Sequence, residues 1–308
     1  MAKVCCLSYG AGQDSTALLA KYVFDRKFRQ TYVGNARFLV ICSATGDEHD
    51  ETYTHIEWTK KTCTQLGIEF LYIDLDMGYH TGHWAKGLAG CWEAYSTIGS
   101  VGFPPSCSFS LKQTPLYAAL EDWIELNYGF KSGRKKGLKA FAKEHELIDM
   151  WIGFADGEQN RMAEPAEQLS LGIEKEKRTK RNLWMKEAIN KRFPLIDLRM
   201  NRAACQQYIR SVGWPVPVPS CCKRCCYKSA EEIMWMKRNI PDVLEAWLQA
   251  EHIKLAAWEG RTERNMGVKG SVTLAEFVAA AESKLGHLPN TYFEEYRMSH
   301  GHNVQSKY

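Results

Sequence analysis

The chain has 308 residues, of which 45% are hydrophobic and 25% charged, with a formal charge of +4. That length supports a well-buried core in one large domain or two ordinary ones, and the composition excludes a low-complexity chain. The mild basic excess permits an anionic partner such as a nucleotide or nucleic acid without demanding one. No stretch approaches the roughly 18 apolar residues of a membrane span. Eleven cysteines with no targeting segment ahead of them point to a reducing, cytoplasmic setting rather than a disulfide scaffold.

Residues 4–8 (VCCLS) read as a short buried strand, followed by a turn from Gly10 to Gly12 and a helix opening at Asp14. Residues 38–42 (FLVIC) are a second buried strand, residues 50–66 an amphipathic helix stopped by Gly67, and residues 68–73 a third strand. Helices are predicted over 113–127 and 135–146, and a further strand over 151–154. This order predicts an α/β fold, a doubly wound, mostly parallel sheet with helices on both faces. Past Phe193 the pattern turns helical. Residues 202–212, 230–252 (broken at Pro241) and 273–285 read as helices, and the tail after Tyr296 as loose. The expected organisation is an α/β domain over 1–192 and a mostly helical C-terminal region over 193–308.

The segment Ser8-Tyr9-Gly10-Ala11-Gly12-Gln13-Asp14-Ser15-Thr16 joins a strand to a helix. Small residues let a phosphate chain approach the backbone, and the helix start offers free N–H groups and a positive dipole end. A Walker loop is excluded because no Gly-Lys-Ser/Thr ending is present. A dinucleotide fingerprint is excluded because Ser15 stands where a third glycine belongs. The bland reading is a turn with Asp14 or Ser15 as helix cap. Four later segments carry site-type residues: Cys42-Ser43-Ala44-Thr45-Gly46-Asp47-Glu48, with Glu51-Thr52 behind it; Cys107-Ser108-Phe109-Ser110-Leu111-Lys112; Trp151-Ile152-Gly153-Phe154-Ala155-Asp156-Gly157-Glu158 with Arg161; and Ser220-Cys221-Cys222-Lys223-Arg224-Cys225-Cys226. The spacing Cys222-x-x-Cys225 suits two thiolate ligands of one ion or cluster, while buried or redox-active thiols are the competing reading. Lys223 and Arg224 favour ionised thiols.

In this order the segments resemble the PP-loop ATP pyrophosphatases and PAPS reductase-like proteins, the adenine nucleotide alpha-hydrolase superfamily. The closest pattern is that of the sulfurtransferases of DNA phosphorothioation and tRNA thiolation. The match includes Phe193-Pro194-Leu195-Ile196-Asp197 and spans roughly residues 4–240. Gly10 stands for the family serine, Ala11 for its first glycine, and Gln13 where one branch carries lysine. The resemblance implies that Ser8, Gly10, Ala11, Gly12, Gln13, Asp14, Ser15, Thr16, Thr45, Gly46 and Gly153 bind ATP. It implies catalytic roles for Asp14, Ser15, Lys112, Glu158 and Arg161, with Mg²⁺ assisted by Asp14. Cys107, Cys222, Cys225 and Cys226 would hold a 4Fe–4S cluster, with Cys221 next in line; zinc remains the competing metal.

The implied function is an ATP pyrophosphatase that adenylylates a substrate for sulfur transfer to tRNA or DNA, with a cysteine desulfurase as a possible sulfur donor. An adenylyl-sulfate or PAPS reductase is disfavoured because no cysteine follows Cys226. A zinc enzyme of deazaguanine synthesis is disfavoured by the role implied for Cys107, and a non-catalytic nucleotide-binding subunit stays open. The basic runs over 131–143 and 174–192 could touch nucleic acid, but interleaved glutamates also suit a solvated helix face. His80 and His83 are assigned no role.

Overall fold

The structure is a computed structural model that describes residues 1–103, 106–162 and 183–299. Residues 174–182 of the basic run over 174–192 lie outside the described residues.

Five strands form one parallel sheet: β1 (Val4–Ser8), β2 (Arg37–Ser43), β3 (Glu69–Ile73), β4 (Ile148–Ile152) and β5 (Ile189–Arg192), in the order β3-β2-β1-β4-β5. Alternation along β1 sends Cys5 and Leu7 to one face and Val4 and Cys6 to the other. The first face is covered by α1 (Gln13–Phe24), α2 (Arg26–Tyr32), α3 (Asp50–Gln65) and the helix Arg202–Ser211, which contribute Leu18, Phe28, Ile56, Cys205 and Ile209. The second is covered by α5 (Thr114–Tyr128), α6 (Lys136–Glu144) and the helix Leu183–Ala188, through Leu120, Ile124, Phe141 and Met185. Both faces are apolar because both are buried, as parallel sheets require.

Trp151 on β4 is fully buried. Its ring stands edge-on to Phe28 at 5.2 Å and to Tyr32 at 6.1 Å. Trp151→Ala is expected to cost about 3–5 kcal/mol, the usual range for a large aromatic removed from a close-packed core. A lower urea midpoint with unchanged slope checks this; an unchanged midpoint counts against the packing described.

A third apolar cluster lies in the C-terminal part, where Ile233, Met236, Trp247, Leu274 and Phe293 pack together with Leu88 and Trp92 of α4 (Gly87–Tyr95) and with Leu111. The helices Ala230–Asn239 and Leu274–Leu285 each open with a capping box, Ser229 with Glu232 and Thr273 with Glu276. Pro241 begins the next helix, Pro241–Ala257, where its missing N–H costs nothing. The helix Asn290–Ser299 continues past Tyr296, and the rest of the tail expected to be loose, residues 300–308, lies outside the described residues. Arg297 anchors that helix, with its guanidinium 3.8 Å from the Trp235 ring and bonded to Glu51 on α3. Among the described residues no helix is long and apolar enough to cross a membrane.

Candidate functional site

The helix after β1 covers one face of the sheet and the helix Leu183–Ala188 before β5 the other, so the switch point of the sheet, with its crevice, falls between the carboxyl ends of β1 and β4. Open α/β sheets place ligands at such a switch point. Three turns meet near the strand ends: residues 9–12 after β1, 44–49 after β2 and 153–158 after β4.

In the first turn Thr16 N donates to Gly12 O at 3.0 Å, the first bond of α1. The amides of Gln13, Asp14 and Ser15 precede it, and no side chain caps them from Gly12. Ala11 has φ 55°, left-handed backbone that normally selects glycine. Gly153 explains itself by proximity: a Cβ there would sit 3.0 Å from Ser15 N. The turn after β4 therefore lies directly against the start of α1.

Behind the glycine turn a buried network fixes the backbone. The Tyr9 hydroxyl shares hydrogen bonds with Thr16 Oγ1 (3.0 Å), His55 Nε2 (2.9 Å) and Thr59 Oγ1 (2.8 Å). Thr16 also bonds His55 Nε2 at 3.0 Å, so its side chain belongs to the interior. Burial lowers the His55 pKa to about 4 from 6.5. The folded chain thus keeps this imidazole neutral while the unfolded chain takes up a proton. Stability is expected to be complete above pH 6.5 and to fall as pH drops toward 4, by about 3 kcal/mol for this shift. The melting temperature of His55→Gln should be correspondingly flatter between pH 6.5 and 4; parallel curves would refute the assignment.

At the crevice, Arg202 NH2 stands 3.4 Å from Asp14 Oδ2 and 3.3 Å from Glu158 Oε1, and Arg161 NH1 donates to Glu158 Oε1 at 3.0 Å. Burial raises the Asp14 pKa, opposed by the Arg202 charge and reinforced by Glu158. Asp14 Oδ1 is buried with no partner among the described residues. A buried, unpartnered carboxylate oxygen is a suitable donor for a hard cation such as Mg²⁺.

A small cleft, open to solvent, lies at the ends of β1 and β2. Tyr9, Gly10, Ile41, Ala44, Tyr53, Ile56 and Leu116 line it, with Ser8, Ser43, Thr52, Glu48 and Lys112 as polar groups. Lys112 comes from a π-helical turn, Ser108–Gln113, of a kind that often marks functional positions. Its ammonium is 3.5 Å from Glu48 Oε1, and the charge of Glu48 is the main reason its pKa is raised. Glu48 Oε2 is buried without a partner among the described residues.

Glu48 Oε1 also accepts from Thr45 Oγ1 at 3.1 Å, and Cys222 Sγ donates to the same threonine at 3.4 Å. The cysteine segment is fastened here. Glu48 pairs with Cys222 in an antiparallel bridge, Lys223 N donates to Asp47 O, and Arg224 donates to both Asp47 oxygens. The thiol of Cys225 is near enough to Cys107, Cys222 and Cys226 to raise the pKa of each. For Cys226 its hydrogen bond is the largest cause; for the other two, burial is. Cys221 points elsewhere, 3.5 Å from the buried ammonium of Lys228, which also lies 3.3 Å from His49 Nε2. The four thiols suit a soft metal or cluster in kind. Among the described residues, however, no group of three or more His, Cys, Asp or Glu side chains is spaced to hold a metal ion.

Not every residue expected at the site faces it. Gln13 turns away: its Nε2 donates to Pro217 O (3.0 Å) and Met298 O (3.1 Å), and its Oε1 accepts from Gln206 (3.1 Å). Gly46 packs against Leu75 and Gly87, and Ser15 Oγ bonds back to Gly12 O. Gly12 lies under the C-terminal segment, where a Cβ would be 3.0 Å from Ser220 N. Two residues given no role, or none in particular, by sequence reasoning matter here. His80 is buried, with Nε2 2.9 Å from Ala44 O and 3.3 Å from Leu111 O, tying the Lys112 turn to the end of β2. Arg202 joins Asp14 to Glu158. Its signal was present, since a cation in the first turn of a helix opposes the dipole.

No protein-family model matches the chain, and a search of curated proteins finds no match. Among solved structures, the chain is similar to U34-tRNA thiolase NcsA from Methanococcus maripaludis, with its 4Fe–4S cluster: identity is 12%, the match covers 94% of this chain and 74% of that one, and the TM-score is 0.38. A likeness at that score carries no argument, and the functional reading rests on the residues described above.

Proposed function

We propose that the protein is an ATP pyrophosphatase that activates an oxygen of its acceptor by adenylylation and exchanges that oxygen for sulfur. One observation carries the reading. The cysteine segment is not remote from the cleft but joined to it through Thr45, Glu48 and Lys112, with Cys222 one hydroxyl away from the Glu48 carboxylate.

ATP would lie with its adenosine in the cleft and its phosphates over the glycine turn, where uncapped amides and the positive end of α1 favour negative charge. The acceptor oxygen attacks the α phosphorus, the bond from that phosphorus to the bridging oxygen breaks, and pyrophosphate leaves. Lys112 and the amides of the turn balance charge as it develops. A persulfide's outer sulfur then attacks the activated atom, AMP departs with the original oxygen, and a second thiol of the donor cleaves the resulting S–S bond, releasing the thiolated acceptor and leaving a disulfide on the donor. Asp14, with Glu158 beside it, would hold Mg²⁺, which supplies electrostatic stabilisation of the leaving pyrophosphate, while Arg161 would attract the phosphates. Cys107, Cys222, Cys225 and Cys226 would hold a 4Fe–4S cluster or zinc, a soft centre able to bind sulfur or order the segment. The acceptor is a nucleic acid, tRNA or DNA, in keeping with the basic excess and with Lys112 at the cleft. A cysteine desulfurase is a suitable sulfur donor.

The test is release of pyrophosphate and AMP from ATP and Mg²⁺, with and without tRNA or DNA. Release stimulated by one nucleic acid supports the reading and names the acceptor class. Nucleotide binding with no release supports a non-catalytic subunit, a reading favoured by the cover that Ser220 places over Gly12.

A further inference from the structure

Arg202 is the first residue of the helix Arg202–Ser211, whose start is capped by Asn201 through Ala204 N. A guanidinium there faces the positive end of its own helix, a placement that local energetics disfavour. The residue is nevertheless only 5% exposed. Its setting explains this. The start of α1 and the turn after β4 each bring a carboxylate to it, Asp14 at 3.4 Å and Glu158 at 3.3 Å.

The backbone around it is tied in the same way. Asp156 N donates to Met200 O at 2.8 Å, and Glu158 Oε2 accepts from Ala155 N at 3.2 Å. Three chain segments, distant in sequence, therefore meet at one guanidinium. Two carboxylates alone would repel each other and any polyanion; Arg161 and Arg202 bring the formal sum to zero. Both contacts are made by one guanidinium nitrogen, Nη2, which therefore sits between the two carboxylates. Because Arg202 engages Asp14 through Oδ2, it also sets the direction of Oδ1, the oxygen without a partner among the described residues.

We infer that Arg202 is a positioning residue: it clamps Asp14 to Glu158 across the switch-point crevice, so that the free Asp14 oxygen is presented to the cation of a bound phosphate chain. The inference rests on the ATP reading for its purpose but not for its geometry.

The test compares full-length wild type with Arg202→Met and Arg202→Lys. The first measurement is hydrogen–deuterium exchange without nucleotide. In Arg202→Met the amides of residues 155–158, each hydrogen-bonded in the structure, should exchange at least about tenfold faster, as expected for a local opening, with the helix Ala230–Asn239 unchanged. The second is pyrophosphate release. The kcat of Arg202→Met should fall about 100-fold with KM for Mg–ATP changed less than about threefold, the signature of lost positioning. Arg202→Lys should recover part of kcat, and so should millimolar guanidinium added to Arg202→Met. Unchanged exchange at those amides overturns the inference, as does faster exchange throughout the chain in both variants, which marks a general fold contact. Absence of pyrophosphate release in wild type refutes the ATP reading instead, and exchange still decides the clamp.

Discussion

Asp14→Asn is expected to lower kcat for pyrophosphate release by about a thousandfold or more while the protein stays folded. The substitution keeps the shape of the side chain and removes the charge that would hold the metal–phosphate unit. A thousandfold corresponds to about 4 kcal/mol of transition-state stabilisation, within the range for a preorganised charged group. Stability should not fall with it. The folded Asp14 pKa is raised by burial, so at neutral pH the charge opposes folding, and the amide relieves that cost. The melting temperature should be equal or slightly higher. A kcat within tenfold of wild type would remove Asp14 from the chemistry. A collapsed melting temperature would make it a structural residue.

Cys225→Ser should abolish metal loading. Anaerobically purified wild type is expected to carry near-stoichiometric iron and sulfide and a broad absorption band at about 400 nm, as thiolate-held clusters do. Cys225 is the thiol that influences Cys107, Cys222 and Cys226 alike, so its loss should reduce iron and sulfide to trace amounts. Cys63→Ala, in the sheet-side core, should leave both unchanged. Zinc without iron in wild type would refute the cluster reading and leave the ATP site standing; neither metal would refute both metal readings.

The strands that carry the glycine turn and its neighbours could be read from the chain because their signals are local. Residues 4–8 and 38–42 are continuous apolar runs, and the long helix after Asp50 has one buried face. β4 begins three residues and ends two residues earlier than expected: the pattern Trp-Ile-Gly-Phe suggested 151–154, whereas the strand runs over Ile148–Ile152 and Gly153 already belongs to the turn. β5, with the sequence INKR, is a short polar edge strand without alternation and could not be seen. At the site, spacing alone marked Cys222 and Cys225, and the family resemblance pointed to Asp14, Lys112, Glu158 and the other cysteines. It could not mark the side-chain direction of Gln13, which long-range hydrogen bonds decide. It could not reveal the reach of Arg202 to Asp14 or the clasp of His80 on the Lys112 turn, because such contacts depend on how distant segments close on each other.

The side-chain amide of Gln13 has a consequence for how such a protein could be taken apart. Its three hydrogen bonds all run to residues beyond position 200. A fragment ending at 192, the boundary expected from the sequence, would lack every partner of that amide and the guanidinium beside Asp14. Recombining the α/β half of this chain with a foreign helical half would therefore succeed only if Arg202, Gln206, Pro217 and the Met298 carbonyl travelled with the glycine turn, so the two halves behave as one heritable unit.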